Sequence, residues 1–268
     1  MSANGLTLRQ VRFTNKAFWR NPASAFFTFA FPLMFLVIFT ALLGNGEVPI
    51  RGMDLEQSTY YVVAMATFGV ISACYTNIAI SVCFNRDAGI LKRIRGTPLP
   101  GRSYLSARVI HSMIVGALLV TITLAFGWAF YDGTWPTGMA LVQFVVTFLV
   151  GSLSFAALAL ALTAAIPNAD AAPPIVNASI LPLLFISGIF IPITDDTPDW
   201  LRIIGDLFPV KHFAEAMRDA YLSDVTLTRA GVTIHPFDFR WSDVAVIAAW
   251  GILGLLLAAR FFSWEPRR

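Results

Sequence analysis

The sequence predicts an all-α membrane protein that crosses the bilayer six times. Hydrophobic residues make up 57% of the 268 residues and charged residues only 13%, whereas soluble domains average about 25% charged residues. The mean hydropathy of +0.69 agrees with this, and runs of about 20 apolar residues are long enough to span a bilayer. This composition excludes disordered, fibrous and nucleic-acid-coating proteins, so we expect no nucleic-acid partner.

Six apolar segments meet the length requirement, and we take residues 1–268 as one transmembrane domain. The first is interpreted as a retained anchor, since its apolar run exceeds the core of about 7–15 residues of a signal peptide. The fifth is interrupted by Pro173, Pro174 and Pro182. The predicted spans cover residues 23–43, 60–84, 109–131, 138–166, 171–192 and 244–262.

The basic residues are distributed unevenly between the two sides of these spans. With the N-terminus inside, 13 of the 19 Lys and Arg residues but only 3 of the 16 acidic residues fall on the cytoplasmic side. The positive-inside rule therefore predicts that both termini are cytoplasmic. Segment 167–170, between spans four and five, contains no Lys or Arg, so the rule gives no support for the cytoplasmic location predicted for this segment.

No ionisable residue lies deep within a predicted span. His111 and Arg260 fall within span limits, but both lie near the cytoplasmic ends. A charge at the bilayer centre costs at least about 2.5–3.5 kcal/mol, so such residues usually mark function. Asn77 and Gln143 are interpreted as helix–helix hydrogen-bonding groups in preference to substrate contacts. We expect no catalytic, metal or cofactor site, and an energy source outside this chain. Span four also has a small-residue face suited to close packing, formed by Gly151, Ser152, Ala156, Ala157 and Ala161.

The segment before the first span is predicted to form an amphipathic helix at the cytoplasmic interface. Four basic residues fall on one arc of a helix, with Val11 and Phe18 on the opposite side. The basic side chains would face lipid phosphates or a partner protein, and a simple topological anchor is an equally good interpretation. The basic residues are Arg9, Arg12, Lys16 and Arg20.

The loop between spans two and three, NRDAGILKRIRGTPLPGRSYLSAR, is predicted to hold a second short amphipathic helix. Ile90, Leu91 and Ile94 form a narrow apolar stripe, and the run Gly96-Thr97-Pro98 ends the helix. Such a helix can insert into a groove on a cytoplasmic protein. The charges of Lys92, Arg93 and Arg95, which face away from the stripe, are by themselves better explained as a topological signal, whereas the apolar stripe and the Gly-Pro stop are not.

After span five the chain reads LPLLFISGIFIPITDDTPDWLRIIGDLFPVKHFAEAMRDAY, which predicts two short external helices. Thr197 can cap the first, with Pro198 at its first position. The second has an apolar face that includes Phe213 and Met217. Both are too short and too charged to span, so they would lie at the outer interface or cap the transport path. His212, Glu215 and Asp219 share a helical face, for which a solvated surface is favoured over metal binding.

Two blocks of this sequence resemble the membrane subunit of ABC type-2 exporters: RDAGILKRIRGTPLP followed by SYLSAR, and LPLLFISGIFIP…PDWL…FPVKHFAEAMRD. The resemblance implies that the loop forms a coupling helix against a nucleotide-binding subunit, through Arg86, Asp87, Ile90, Leu91, Lys92, Arg93, Ile94, Arg95, Thr97 and Pro98. It also implies an interfacial helix with Arg9, Arg12, Lys16, Phe18 and Arg20, and external helices with Trp200, Phe213, Glu215, Met217 and Arg218. Many relatives have glutamate where this chain has Asp87.

The resemblance implies ATP-driven export of an amphipathic, lipid-linked or drug-like substrate from the cytoplasm across the cell membrane. No G-x-x-x-x-G-K-[ST] phosphate loop occurs in this sequence, so ATP and Mg²⁺ would bind a separate ATPase subunit. This chain would then be a transport subunit and not an enzyme. Its expected partners are that ATPase, membrane lipids and a second permease subunit, which is either a copy of this chain or a different one.

Two alternatives remain open from the sequence. One is a secondary transporter driven by an ion gradient, which the lack of ionisable residues inside the spans disfavours. The other is a membrane scaffold that transports nothing. Substrate-stimulated ATP hydrolysis by an associated ATPase would exclude the scaffold.

Overall fold

The computed structural model describes residues 3–43, 46–50, 53–131, 133–194, 197–223, 227–229, 232–234 and 237–265. Most of these residues are helical, and the predicted all-α polytopic fold is confirmed. The helices are α1 (Ala3–Trp19), α2 (Pro22–Leu43), α3 (Gln57–Ile71), α4 (Asn77–Asp87), α5 (Ile90–Arg95), α6 (Gly101–Phe130), α7 (Gly138–Leu162), α8 (Ala172–Ile186), α9 (Asp199–Leu207), α10 (Pro209–Leu222) and α11 (Trp241–Phe261). Two antiparallel strand pairs, which the sequence did not predict, are β1 (Glu47–Ile50) with β2 (Met53–Glu56) and β3 (Leu227–Arg229) with β4 (Val232–Ile234).

Among the described residues, five helical segments are long and apolar enough to cross a bilayer. They correspond to predicted spans one to four and six. A π-helical turn, Ser72–Thr76, joins α3 and α4 into the second of these segments. The boundaries differ most at α6, which begins at Gly101 and not at residue 109, and at α7, which ends at Leu162 and not at residue 166.

The helix at the predicted fifth span, residues 171–192, is shorter than the span that the sequence predicted. This helix, α8, has 15 residues and rises about 22 Å, whereas the hydrocarbon core is about 30 Å thick. The helix ends at Ile186, where the Ser187 hydroxyl donates to the Leu184 carbonyl at 3.1 Å. Gly188 then adopts φ = 78°, a conformation that terminates helices. The chain turns here before reaching α9.

Four segments that the sequence assigned to the cytoplasmic side meet at one end of the bundle. The rings of Phe18 in α1 and His111 in α6 lie 5.4 Å apart. Trp264, which follows α11, lies 6.3 Å from the Tyr104 ring, between ring centroids. Arg86 connects the loop after α4 to the segment after α7. We call this the basic end of the molecule.

The opposite end is held by tyrosines that reach across between segments. The Tyr60 hydroxyl donates to the carbonyl oxygen of Gly188, and the Tyr61 hydroxyl donates to that of Phe190 at 3.3 Å. Tyr221 of α10 bonds Thr134, in the connection before α7. The bonds of Tyr60 and Tyr61 fix the chain between α8 and α9 against α3.

The helix α7 is the centre of the packing, and its small-residue face is used as predicted. A Cβ atom on Gly151 would lie 2.2 Å from Cε2 of Phe213 in α10. On α11, a Cβ atom on Gly251 would lie 2.3 Å from Oγ of Ser154. Small residues therefore permit α10 and α11 to approach α7 closely.

Candidate functional site at the loop between the second and third spans

The loop 88–100, at the basic end, carries the short helix α5 and is closed by local hydrogen bonds. Gly89 has φ = 70°, which turns the chain sharply between α4 and α5. The Gly96 amide donates to the carbonyl of Arg93 at 3.1 Å. The Thr97 hydroxyl donates to the carbonyl of Ile94 at 2.6 Å and accepts from the Leu99 amide at 3.3 Å. The predicted stop at Gly96-Thr97-Pro98 is confirmed.

The apolar stripe of α5 faces this chain more than it faces outward. Leu91 is 0% exposed, and Ile94 is partly buried against the core. Ile90 is 40% exposed. Of the three stripe residues, Ile90 is thus the one most open to a partner protein, and the other two anchor α5 to the bundle.

The outward side of the loop forms what we call the basic surface. It is cationic, because its three charged side chains are all basic and all exposed. Three neighbouring uncharged residues are exposed as well. The basic surface consists of Ile90, Lys92, Arg93, Arg95, Thr97 and Pro98.

Arg86 lies beneath the basic surface and is only 1% exposed. Its guanidinium donates to the carbonyl oxygens of Thr163 at 2.9 Å and Ile166 at 2.8 Å, beyond the end of α7. Asp87 accepts from Arg86 Nε at 3.3 Å and from the Ala169 amide. These two residues, which were predicted to contact a partner, are bonded within this chain and join the end of α4, directly before loop 88–100, to segment 163–171.

The predicted N-terminal helix is α1, and its two faces are arranged as the sequence indicated. Val11 is buried, and the Phe18 ring packs against Phe29 of α2 as well as against His111. The four basic residues of the opposite arc, Arg9, Arg12, Lys16 and Arg20, are all exposed. The basic arc is therefore available to lipid phosphates or to a partner, as an interfacial helix requires.

The first external helix, α9, presents an apolar face to its surroundings. Trp200 is 61% exposed, and Ile203 and Leu207 are exposed as well. Thr197 does not cap this helix, because its hydroxyl accepts from the Thr194 amide at 3.0 Å. Arg202 donates to the Thr194 carbonyl at 2.6 Å and holds the preceding turn against α9.

The second external helix, α10, is enclosed by α3, α7 and α11. Phe213 and Met217 are both 0% exposed. The Arg218 guanidinium carbon lies 5.9 Å from the centroid of the Tyr60 ring. Glu215 pairs with Arg240, which immediately precedes α11. Burial raises the pKa of Tyr221, while its bond to Thr134 opposes this shift.

Arg240 is the centre of an ion-paired cluster between α10 and the start of α11. Besides pairing with Glu215, it lies 3.0 Å from an Asp243 carboxylate oxygen and 3.8 Å from one of Asp219. Burial alone would lower the pKa of Arg240, but the nearby Glu215, Asp243 and Asp219 carboxylates raise it above its usual range. His212 Nδ1 lies 2.7 Å from Asp243 Oδ1.

This cluster corrects the interpretation of His212, Glu215 and Asp219 as a solvated face. The Asp219 side chain is 0% exposed. Within the described part of the chain, no three His, Cys, Asp or Glu residues are placed to hold a metal ion. Arg240 and Asp243 were missed because they follow a segment that lacks any recognisable motif. The sequence did contain one signal for them: Arg240 and Asp243 carry opposite charges three positions apart, directly before an apolar span.

Comparison with known proteins relates this chain to transporter permeases. It is 25% identical over 244 residues to YvfS of Bacillus subtilis, named as a transport permease, covering 89% of each chain. It is 25% identical over 187 residues to YbhR of Escherichia coli, named as a multidrug ABC transporter permease, covering 68% of this chain and 50% of YbhR. It is also 25% identical over 191 residues to DrrB1 of Streptomyces coeruleorubidus, named as a daunorubicin resistance ABC transporter permease, covering 70% of this chain and 65% of DrrB1.

The model of the family described as ABC-2 type transporter matches residues 7–222. The match begins in α1, includes loop 88–100 and ends at the last residue of α10. It thus covers the segments that the sequence singled out, together with the spans between them. This multi-pass membrane protein belongs to the ABC-2 type transporter family.

Proposed function

We propose that this chain is the transmembrane subunit of an ATP-driven exporter and that a separate ATPase subunit docks on the basic surface. The observation that carries the proposal is the construction of loop 88–100. Its outward side is cationic and exposed, while Leu91 and Arg86 hold it firmly to the spans. A loop anchored in this way can transmit a displacement from a bound protein to the helices.

The connections of the loop indicate which helices such a displacement would move. The loop joins α4 directly to α6, and Arg86 ties it to the end of α7. Closure of an ATPase dimer would pull the basic surfaces and shift these helices between inward-facing and outward-facing arrangements. ATP drives this cycle by binding more tightly to one of the two states.

The proposed orientation places the basic end in the cytoplasm and the protein in the cell membrane. The positive-inside rule supports this orientation, since loop 88–100, α1 and the end of α11 lie together at that end. Both termini are then cytoplasmic. The working assembly contains two ATPase subunits and a second permease subunit, which is a second copy of this chain or a different one.

An amphipathic, lipid-linked or drug-like substrate fits the proposal. A groove of about 770 Å³ runs between α6, α7 and α11, with Arg102 at its basic end. Leu105, Leu153 and Leu255 are among the apolar residues that line it. An apolar body with a polar head matches this combination, and YbhR and DrrB1 carry drug-related names.

The test is to co-express the full chain with an ABC ATPase subunit from the same organism and to measure their association and transport. Replacing Lys92 and Arg93 together by Glu reverses two exposed charges, and we expect it to abolish co-purification of the ATPase. Replacing Lys92 by Arg and Arg93 by Lys keeps both charges and is the matched control. Inverted vesicles with the intact pair are expected to take up daunorubicin only when ATP is supplied. Association that survives the charge reversal would contradict docking on the basic surface, and uptake that follows the proton gradient without ATP would contradict ATP-driven export.

A further inference from the structure

A polar recess lies at the basic end, on the side of the bundle that α1 covers. Its volume is about 170 Å³. Three parts of the chain form its walls: α1, the start of α2, and the facing sides of α4 and α6. The polar residues lining it include Thr14, Asn21, Ser24, Asn77, Arg108 and His111.

Two nitrogen atoms in the recess are buried without a hydrogen-bond partner, namely Arg108 Nη2 and His111 Nδ1. His111 is only 7% exposed. Leaving such groups unsatisfied is costly, and native structures rarely tolerate it. No Asp or Glu is among the described residues that line the recess. The recess thus holds a permanent cation, Arg108, and a buried histidine nitrogen without a partner, and none of the described residues that line it is an anion.

The start of α2 adds a further positive contribution. Asn21 directly precedes this 22-residue helix, and Ser24 lies in its first turn. The Ser24 amide donates to the Asn21 side chain at 3.3 Å, so this helix end contributes mainly the partial positive charge of the helix dipole, which favours anions such as phosphate. Arg108, His111 and this helix end thus point to an anionic ligand.

A separate apolar groove of about 460 Å³ lies along α2, and it is lined by Pro22 and Ala25, the sequence neighbours of Asn21 and Ser24 in the recess. It is lined by residues that include Trp19, Phe26, Phe29 and Leu33. The Phe18 ring, which borders the recess, packs against Phe29 of the groove at 6.2 Å between ring centroids. A polar recess that opens beside an apolar groove matches a phosphate group attached to an acyl chain better than it matches a free ion.

We propose that this recess binds the phosphate group of an anionic phospholipid, whose acyl chain lies in the groove along α2. Arg108 and His111 donate to the phosphate oxygens, and Phe18 separates head group from chain. This site is distinct from the basic surface and does not depend on the proposed export function. The lipid would fasten α1 to the spans at the membrane interface.

The test measures lipids retained by the purified full-length chain, using native mass spectrometry with phosphatidylglycerol, phosphatidylcholine and inorganic phosphate as probes. Ser24→Asp places a negative charge at the exposed rim of the recess, and Ser24→Asn is its matched neutral control. Arg108→Gln removes the cation from within the recess. Arg260→Gln removes an exposed cation at the end of α11 and controls for general attraction of anionic lipid.

We expect the wild-type chain to retain phosphatidylglycerol in preference to phosphatidylcholine. Ser24→Asp and Arg108→Gln should each weaken phosphatidylglycerol binding about tenfold, as expected for one lost charge-assisted contact. Ser24→Asn and Arg260→Gln should bind as the wild type does, and excess inorganic phosphate should displace nothing.

Three outcomes would overturn the proposal. Equal binding of phosphatidylglycerol by Ser24→Asp and Ser24→Asn would show that no anion occupies the recess. Displacement by inorganic phosphate, or equal retention of phosphatidylcholine, would show that the occupant is not an anionic lipid. If Arg108→Gln fails to fold, the two Ser24 variants decide the question, since Ser24 is exposed and an acidic residue is favourable in the first turn of a helix.

Discussion

Arg86 and Thr163 are joined by a hydrogen bond of 2.9 Å from the guanidinium Nη1 to the backbone carbonyl oxygen, across 77 positions of the sequence. The carbonyls at the end of a helix lack partners within the helix and favour a nearby cation. Arg86 meets this need for α7 while its own charge is buried. Loop 88–100 and segment 163–171 are thereby held as one unit.

Replacing Arg86 by Met should destabilise the protein while leaving the basic surface chemically unchanged. The substitution keeps the length of the side chain but leaves two buried carbonyls without a donor, which costs about 2–4 kcal/mol in the free energy of unfolding. Unfolding by SDS in mixed micelles measures this loss. Arg93→Met, at an exposed position of α5, is the control and should change stability by less than about 0.5 kcal/mol. Similar losses for both variants would contradict the structural role of Arg86.

The sequence predicted the spans because hydrophobic length is a local property. It also located α1 and α5, whose amphipathic patterns extend over a few turns. It did not show that Arg86 and Asp87 face inward, because their partners at Thr163, Ile166 and Ala169 are distant in sequence. A basic residue in a basic loop has the same local pattern whether it faces water or a helix end.

The external helices show the same limit. The apolar face of α10 was correctly predicted, but its polar face was expected to be solvated. Instead Arg240 lies against that face, and Asp219 is buried beside it. The turn that shortens the fifth predicted span depends on Gly188 and on the Tyr60 hydroxyl that bonds its carbonyl. Hydropathy predicts neither the contact of Arg240 with α10 nor the turn at Gly188, because both depend on residues that are brought together only in the folded protein.

Leu91 and Ile90 are neighbours in sequence but should respond differently to truncation. Leu91 is 0% exposed, so Leu91→Ala removes a buried side chain and should lower the free energy of unfolding by about 2–4 kcal/mol. Ile90→Ala should lower stability by no more than about 1 kcal/mol, because Ile90 is 40% exposed. The same SDS titration measures both variants. If the ATPase docks on the basic surface as proposed, Ile90→Ala should also weaken co-purification of the ATPase. If Ile90→Ala were the more destabilising of the two, the burial of the α5 stripe described above would be wrong.

Gly151 should not tolerate even a methyl group. A Cβ atom there would lie 2.2 Å from Cε2 of Phe213, and overpacking of this kind costs about 1–3 kcal/mol. Gly116→Ala is the matched control, since a Cβ atom at Gly116 meets nothing closer than 3.6 Å. We expect Gly116→Ala to be neutral or stabilising, as alanine is the better helix former. Thermal unfolding in detergent compares the two variants.

The clash at Gly151 should disappear when Phe213 is shortened. Phe213→Ala alone is expected to cost about 3–5 kcal/mol because the ring is buried. Combining it with Gly151→Ala should cost less than the sum of the two single changes, with a coupling of about 0.5–3 kcal/mol. Strict additivity would indicate that α7 and α10 do not meet at these residues.

Arg240→Gln should destabilise the contact between α10 and α11, and the loss should depend on pH. The variant leaves Glu215, Asp219 and Asp243 without their central cation, and we expect a cost of about 1–3 kcal/mol at neutral pH, intermediate between exposed and buried ion pairs. Arg218 and His212 remain beside two of these carboxylates and offset part of the loss. Arg240→Lys, which keeps the charge, should lose less.

The sign of the pH dependence follows from the charges. The pKa of Arg240 is raised in the folded protein, so its stabilising contribution is complete below its unfolded pKa and is lost only as pH rises through the higher folded pKa. The Arg240 guanidinium itself therefore stays charged throughout the range from about pH 4 to 9. Carboxylates lose their negative charge as the solution becomes acidic, so both the pairing in the wild type and the repulsion in Arg240→Gln weaken, and the deficit relative to the wild type should shrink as pH falls from about 7 to 4. Unfolding titrations of the wild type, Arg240→Gln and Arg240→Lys across this range provide the measurement. A deficit that stayed constant or grew toward low pH would show that Arg240 stabilises the contact by packing and not by charge.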